Sequence, residues 1–256
     1  MFKNNTLKGK VAIVTGGGSG IGRAVCLKLA EYGAVIAVVD IEIEKAEAVV
    51  REIEKLNSKS LAIKADVSKK NEVKQMVSKV VREFVKVDIL VNCAGILTFT
   101  SCLDTSENEW DRVIDINLKG TFLCSKEVAS LMVKVKSGKI INIGSISSIG
   151  SIFNNSLGSI SYCVSKAGIH CLTRMLAGEL ASYNINVNTV APGTTDTPMH
   201  KGHIEELKRG YLKFFPLGRF ADPNDIANVV LFLVCDEAKY ITGQAIYVNG
   251  GMIMVN

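Results

Sequence analysis

The sequence predicts an α/β fold built around a parallel sheet. Short β-branched runs alternate with longer stretches of helical periodicity, and the connections between them are short. The first run, Val11 to Val14, leads directly into a glycine-rich turn and a helical stretch that ends at Gly33. With 256 residues, 48% of them hydrophobic, the chain is long enough to bury one full core. No repeat, linker or low-complexity segment indicates a second domain.

Composition and charge exclude several classes of protein. The net charge of +5 is interspersed along the chain, which argues against a nucleic-acid-binding surface. The N-terminus is polar, and apolar runs such as Val229 to Cys235 are too short to span a bilayer. The seven cysteines form no CxxC pair, as expected for reduced thiols. We therefore expect a cytoplasmic protein without nucleic-acid or membrane partners.

The turn after the first run has the spacing T-G-x-x-x-G-x-G from Thr15 to Gly22. Glycines permit positive φ and close backbone approach, so amides at the start of the next helix can face a pyrophosphate. A tight strand-to-helix turn without a ligand is the alternative. The candidate cofactor contacts in this turn are Gly16, Gly18, Ser19, Gly20, Ile21 and Gly22.

The second predicted strand, Val35 to Val39, ends at Asp40. In dinucleotide-binding folds an acid at this place, about 20 residues after the turn, holds the adenosine ribose 2′-hydroxyl. A carboxylate would repel a 2′-phosphate, which predicts NAD in preference to NADP. NADP stays possible because Arg23 and nearby lysines could reach the same pocket, and Asp40 could also be a simple strand-end or cap residue.

The pattern continues through two further strands. The predicted elements are a helix from Glu44 to Leu56, a strand from Ser60 to Lys64, a helix from Glu72 to Phe84 and a strand from Ile89 to Val91. Because ligands bind outside the carboxyl ends of such strands, Thr15, Asp40, Asp66 and Asn92 should line one rim. Asp66 and Asn92 are equally explained as turn formers.

Ser106 and Glu109 form a capping-box pattern that predicts one long helix running towards Val135. Asn117 lies within it, where asparagine is mildly unfavourable and competes for backbone hydrogen bonds. A structural cause and a functional one are both open. The strand Lys139 to Ile143 then brings Ser145 to the predicted rim.

Tyr162 and Lys166 are four residues apart in a helical stretch that reaches about Tyr183. This spacing places them on one helical face. A phenol with a reference pKa near 10 exchanges protons at neutral pH only if its phenolate is stabilised, and a nearby ammonium group would lower its pKa. A surface pair is the alternative.

Together these motifs resemble the classical short-chain dehydrogenase/reductase family over nearly the whole chain. The matching set also includes Pro216 to Arg219, Thr242-Gly243 and Asn249 to Gly251. The resemblance implies a doubly wound, parallel, seven-stranded sheet of Rossmann type in one domain, residues 1–256. It also implies a nicotinamide cofactor and a catalytic tetrad of Asn117, Ser145, Tyr162 and Lys166.

In family terms, Tyr162 is the general acid/base, Lys166 lowers the pKa of Tyr162 and holds the nicotinamide ribose, and Ser145 steadies the substrate oxygen. Asn117 would anchor a water that links Lys166 to solvent. The remaining residues implied as cofactor contacts are Val67, Ala94, Gly95, Pro192, Gly193, Thr195 and Thr197, together with Asp66, Asn92, Tyr162 and Lys166.

Two departures from the family pattern lie near the site. Cys93 replaces the second asparagine of N-N-A-G, with the turn expected to survive. Residues 153–158 look like an insertion, either a specificity element or a longer surface loop. The insertion leaves Ser147 and Ser148 as competitors for the role of Ser145, which we prefer because it directly follows its strand.

The C-terminal third contains a predicted strand from Asn186 to Val190 and a substrate lid at about residues 194–215, with a helical pattern from His200 to Phe215. His200 and His203 have a metal-like spacing, but no ligand set accompanies them, so no metal is expected. A helix from Pro223 to Leu233, capped by Asp222 or a neighbour, and a strand from Ala245 to Val248 complete the pattern.

The preferred function is hydride transfer between NAD and a small-molecule secondary alcohol or ketone. A 3-oxoacyl-thioester reductase, acting on an acyl-carrier-protein or CoA substrate, is the first alternative. A non-catalytic dinucleotide-binding regulator is the second. By resemblance, a homotetramer or homodimer is expected.

Overall fold

The computed structural model describes residues 6–149, 159–200 and 212–254. Its seven strands form one parallel sheet in the order β3-β2-β1-β4-β5-β6-β7, which confirms the expected fold class. The strands are β1 Val11–Thr15, β2 Val35–Asp40, β3 Ser60–Lys64, β4 Ile89–Asn92, β5 Gly138–Ile143, β6 Ile185–Pro192 and β7 Ala245–Val248.

The helices lie close to their predicted positions. They are α1 Gly20–Glu31, α2 Ile43–Glu54, α3 Lys70–Phe84, α4 Glu107–Ile114, α5 Gly120–Val135, α6 Ile160–Leu180 and α7 Pro223–Val234. None of the helices in the described ranges is both long and apolar enough to cross a bilayer.

Alternation along the strands divides the core into two layers. Ala12 and Val14 of β1 pack with α1, α2 and α7 on one face of the sheet. Val11 and Ile13 face the opposite layer, where residues of α3, α5 and α6 bury their apolar sides. Side chains of successive strand residues point to opposite faces of the sheet. Because β1 is buried on both faces, its sequence is a continuous apolar run.

The long helix predicted from Ser106 to Val135 is not continuous α-helix. A π-helical segment, Asp115–Lys119, separates α4 from α5. Ser106 does cap α4, since its side chain accepts from the Glu109 amide. The Glu109 carboxylate accepts from the Thr100 hydroxyl. By contrast, α7 carries a full reciprocal capping box between Asp222 and Asp225, which confirms the predicted cap.

The predicted lid lies only partly within the described residues. Short 3₁₀ turns, Pro198–His200 and Leu212–Phe214, stand at its two ends. Residues 201–211, including His203, lie outside the described residues, as does the insertion at 153–158.

The glycine turn is held by close backbone contacts. Gly16 has a φ of +64°, and a Cβ there would lie 2.8 Å from the Cα of Ala94. Gly22, in the first turn of α1, packs against the Gly16 carbonyl so tightly that a Cβ would lie 2.0 Å from that oxygen. The turn and α1 can therefore meet only through glycine.

Replacing Gly22 by alanine is expected to destabilise the protein by about 2 kcal/mol, because the added methyl must push the Gly16 carbonyl aside. The matched control is Gly178→Ala in α6, where a Cβ would meet nothing within 4 Å. That change should stabilise by roughly 0.5–1 kcal/mol through helix propensity. Denaturant unfolding of both variants checks this, and equal effects would contradict the packing argument.

Candidate active site

A cavity of about 370 Å³ opens at the carboxyl edge of the sheet. It lies beside the ends of β1 and β4, where the chain reverses its direction of winding and where open α/β sheets bind ligands. The predicted site residues on its wall are Gly16, Ser19, Gly20, Ile21, Gly22, Asp40, Asp66, Val67, Ala94, Gly95, Ser145, Tyr162, Lys166, Pro192, Gly193, Thr195 and Thr197. The side chains of Asn92 and Asn117 and residue Gly18 are not part of this wall.

The N-terminus of α1 points its free amides at one end of the cavity. Ser19 is the N-cap residue, its hydroxyl makes no capping hydrogen bond, and the first turn contains no acidic residue. An uncompensated helix N-terminus of this kind favours an anion. Thr197 reaches across the cavity, since a Cβ on Gly20 would lie 3.3 Å from the Thr197 side chain.

Asp40 closes the same end of the cavity. Its Oδ2 accepts from the Gly18 amide at 3.0 Å, and its Oδ1 accepts from the Glu42 amide at 3.1 Å. A Cβ on Gly18 would lie 2.8 Å from Asp40 Oδ2, so Gly18 contributes by leaving room for the carboxylate.

The cations near Asp40 are matched to acids of their own. Arg23 Nε donates to Glu52 at 2.9 Å, and its terminal nitrogen pairs with the second oxygen of the same carboxylate. Lys45 pairs with Glu42. Lys45 also lies on the wall of the cavity.

Thr15 joins the ends of two central strands. Its hydroxyl oxygen accepts from the amides of Cys93 and Ala94 at 3.1 and 3.2 Å. The turn after β4 thus keeps its backbone contacts although Cys93 stands in place of asparagine. Burial raises the pKa of the Cys93 thiol to about 12, so it carries its proton.

Asn92 is predicted from the sequence as a cofactor contact, but the structure turns its side chain into the core. The amide is 4% exposed and donates to Ser125 at 3.0 Å and to Asn142 at 2.8 Å. Alternate side chains of a strand face opposite ways, and this position faces α5. Asp66 does lie on the wall, where its Oδ1 accepts from the amide and hydroxyl of Ser68.

Tyr162, Lys166 and Ser145 meet on the opposite wall. Lys166 Nζ lies 5.6 Å from the centre of the Tyr162 ring and donates to the Ile143 carbonyl at 2.8 Å. The side chain of Ser145 hydrogen-bonds that of Tyr162. Tyr162 and Lys166 are 9% and 5% exposed, so the pair is buried and is not a surface pair.

The net pKa shift of Tyr162 is opposite to the one expected from its lysine neighbour. Burial raises the pKa of Tyr162 to about 12, and the hydrogen bond from Ser145 offsets only part of this effect. Burial also lowers the pKa of Lys166 to about 8. At neutral pH the pair is therefore a phenol beside an ammonium group, with the proton held on Tyr162.

Asn117 lies in the π-helical segment and clamps the loop after β4. Its Oδ1 accepts from the Ile96 amide at 2.8 Å, and its Nδ2 donates to the Ile96 carbonyl at 2.9 Å and to Ser165 Oγ at 3.1 Å. π-Segments frequently mark functional sites. Sequence reasoning missed both this segment and the Ser165 contact, although an asparagine in mid-helix was the available signal.

Hydrogen bonds join the three candidate serines to one another. Ser145 hydrogen-bonds Tyr162 and also donates its hydroxyl to Ser147 Oγ at 3.1 Å, and Ser147 donates its amide to Ser145 Oγ at 3.0 Å. The Ser148 hydroxyl donates to the Ser145 carbonyl at 2.7 Å. This geometry favours Ser145 as the group that shares a substrate oxygen with Tyr162.

The loop after β6 passes over the remaining wall. Gly193 donates its amide to the Val248 carbonyl at 2.9 Å, and the Thr195 hydroxyl donates to the Gly193 carbonyl at 3.0 Å. Within the described ranges, no group of three histidine, cysteine or acidic residues is arranged to hold a metal.

Comparison with known proteins identifies the family. Residues 16–253 match a family model described as enoyl-(acyl carrier protein) reductase. The chain belongs to the classical short-chain dehydrogenase/reductase family. It is thus an NAD(P)-dependent oxidoreductase acting on CH–OH groups, which favours an enzyme over the regulator alternative.

Three relatives illustrate the similarity. A 3-oxoacyl-[acyl-carrier-protein] reductase FabG of Staphylococcus epidermidis is 48% identical, covering 96% of this chain and 99% of the relative. The (2S)-[(R)-hydroxy(phenyl)methyl]succinyl-CoA dehydrogenase subunit BbsD of Thauera aromatica is 40% identical, covering 96% and 97%. The crystal structure of a short-chain type dehydrogenase/reductase from Mycobacterium marinum superposes with a TM-score of 0.92 at 34% identity, covering 96% of each chain.

Asn117→Ala should leave the amide and carbonyl of Ile96 without their partner and destabilise the protein by about 2 kcal/mol. Asn224→Ala is the control, because that amide donates to Asp222 at the protein surface and its loss should cost about 0.5 kcal/mol or less. Hydrogen exchange at Ile96 together with denaturant unfolding measures both effects. An unchanged exchange rate at Ile96 would show that Asn117 is not the clamp.

Proposed function

We propose that this enzyme reduces the 3-oxo group of an acyl thioester, with NADH as its hydride donor. The observation that carries the proposal is Tyr162 itself, buried on the cavity wall beside Ser145 and Lys166. A group that holds its proton at neutral pH and shares a cavity with a carbonyl substrate is suited to protonate the oxygen as reduction proceeds. We take the direction as ketone to alcohol, in line with the name of the staphylococcal relative, a reductase.

The substrate class is supported by the names of the relatives. The staphylococcal protein is named for a 3-oxoacyl group on acyl carrier protein, and the Thauera protein for a CoA ester. Both names describe acyl groups carried as thioesters. A thioester substrate therefore has more support than the wider class of simple secondary alcohols, which remains the second candidate.

The wall residues fit a dinucleotide. The free amides of α1 and the hydroxyl of Ser19 would hold its pyrophosphate, Asp40 its adenosine ribose, and Lys166 its second ribose. When bound in reduced form, such a cofactor supplies hydride to the carbonyl carbon. The preference for NADH rests on Asp40 and on the pairing of Arg23 and Lys45 with Glu52 and Glu42.

Side chains of the protein supply the proton for the reduction. Ser145 holds the carbonyl oxygen beside Tyr162 by donating a hydrogen bond. The phenol of Tyr162 donates its proton to that oxygen as the carbon is reduced, and becomes a phenolate. The Lys166 ammonium, fixed by the Ile143 carbonyl, stabilises the phenolate until solvent returns a proton. Asn117 holds the adjoining loop at Ile96 while this occurs.

Two further predictions accompany this function. We expect the enzyme to work in the cytoplasm, and we expect a homotetramer or homodimer. Sedimentation of the purified protein measures the second.

Tyr162→Phe should abolish reduction, with a loss of at least about 100-fold, because phenylalanine keeps the ring and removes the proton donor. NADH oxidation would be followed with 3-oxoacyl thioesters of acyl carrier protein and CoA, enoyl thioesters, and simple ketones. Activity confined to enoyl thioesters or simple ketones would overturn the substrate assignment. Retained turnover in Tyr162→Phe would overturn the role of Tyr162.

Asp40→Asn should narrow the preference for NADH over NADPH by about tenfold, because the change removes the charge and keeps an acceptor for the Gly18 amide. The ratio of kcat/KM for the two cofactors measures the effect. Asp66→Asn is the matched control on the same rim and should leave that ratio unchanged. A ratio that Asp40→Asn does not alter would remove Asp40 from the ribose pocket.

A further inference from the structure

His170 is buried on the helix that carries Tyr162 and Lys166, and the proposed proton transfer does not use it. It is 7% exposed and lies eight residues after Tyr162, so the three side chains form a stripe at four-residue intervals. Its Nδ1 lies 3.3 Å from Ser148 Oγ. Among the described residues, its Nε2 has no hydrogen-bond partner.

The hydrogen bonds of Ser148 determine which ring nitrogen carries the proton. Ser148 donates its hydroxyl proton to the Ser145 carbonyl, so its oxygen is left as an acceptor. His170 Nδ1 must then be the donor, and the neutral ring leaves Nε2 as a bare lone pair. Burial and the nearby charges of Lys166 and Arg174 lower the pKa of His170 to about 4, which keeps the ring neutral at physiological pH.

The surroundings of the ring are fitted to it. A Cβ on Gly144 would lie 2.4 Å from His170 Nε2, so the glycine directly before Ser145 makes room for the imidazole. The ring also lies 5.9 Å from that of Tyr247, centre to centre. A neutral Nε2 without hydrogen suits this crowded position, whereas an N–H there would lack an acceptor among the described residues.

We propose that His170 is a positioning residue for the reaction: through Ser148 it fixes the main chain at Ser145, so that the Ser145 hydroxyl stays against Tyr162. The Ser145 carbonyl accepts both the hydroxyl of Ser148, at 2.7 Å, and its amide, at 3.2 Å. The chain of contacts runs from α6 to the serine loop and back to α6 at Tyr162. One rigid helix thus sets both partners of the Ser145–Tyr162 contact. Only the kinetic test of this proposal depends on the proposed function.

The kinetic test compares Ser148→Ala, His170→Phe and the double variant. Each single change should lower kcat about tenfold through a small displacement of Ser145, with the KM for NADH within about twofold of the wild type. The double variant should be no slower than the slower single variant, because both changes break one chain of contacts. Multiplying losses, or an unchanged kcat in Ser148→Ala, would overturn the proposal.

Two further variants separate positioning from general stability. His170→Asn places an amide nitrogen where Nδ1 lies and should recover most of the kcat lost in His170→Phe. If the two variants lose kcat equally, the hydrogen bond from His170 to Ser148 does not position Ser145. Ser58→Ala removes the same kind of hydroxyl-to-carbonyl bond, from Ser58 to Ala34, at the far end of the sheet. It should lower stability to a similar extent and leave kcat unchanged. If Ser58→Ala lowers kcat as much as Ser148→Ala does, the loss in Ser148→Ala is explained by lower stability and not by the position of Ser145.

A measurement without substrate tests the contact between His170 and Ser148 independently of activity. NMR of the ring nitrogens at neutral pH should show His170 protonated at Nδ1 alone in the wild type, with this tautomer perturbed in Ser148→Ala. A ring protonated at Nε2, or at both nitrogens, would overturn the proposal. If the thioesters are not reduced, the proposed function is wrong, but the NMR measurement still tests whether His170 holds Ser148 in place.

Discussion

The hydroxyl of Thr15 is the contact on which the site depends. It accepts from two successive amides of the turn after β4, and so fixes the ends of the two central strands to each other. The β1–β4 ladder ends at the pair Thr15 and Asn92, and the hydroxyl of Thr15 extends the connection into the turn beyond it, where the crossovers diverge. Gly16 and Ala94 approach each other closely enough for this bond because no Cβ intervenes. The helix N-terminus that faces the cavity is oriented by the same turn.

The polar groups on the two sides of the cavity have different surroundings. At Tyr162 and Lys166 burial favours the uncharged form of each group, which raises the pKa of the phenol and lowers that of the ammonium group. The phenol therefore keeps its proton at neutral pH. At the other side, the carboxylate of Asp40 accepts hydrogen bonds from the backbone amides of Gly18 and Glu42. The proposed proton donor and the proposed ribose contact thus lie on different walls of one cavity.

Most of the fold and much of the site could be predicted from the sequence, because short-range patterns determine them. The strand Ser60–Lys64 and the strand Ala245–Val248 have the predicted bounds, and Asp40, Tyr162 and Lys166 follow from strand ends and helical spacing. The direction of the Asn92 side chain could not be predicted, because both faces of a central strand are buried. The sign of the Tyr162 pKa shift depends on the depth of burial, which spacing does not reveal. The partners of Asn117 and His170 come from distant parts of the chain.

The π-helical segment at Asp115–Lys119 carries one consequence for how this protein can vary. A π-turn accommodates an extra residue, and each residue of an α-helix rotates the rest of the helix by about 100°. Deleting one residue to restore regular helix would turn Val128 and Met132 of α5 away from the sheet that they pack against. The loop clamp at Asn117 and the buried face of the next helix are therefore set by a single insertion. Inserting or deleting a residue in this segment would therefore disturb both the clamp at Asn117 and the packing of α5.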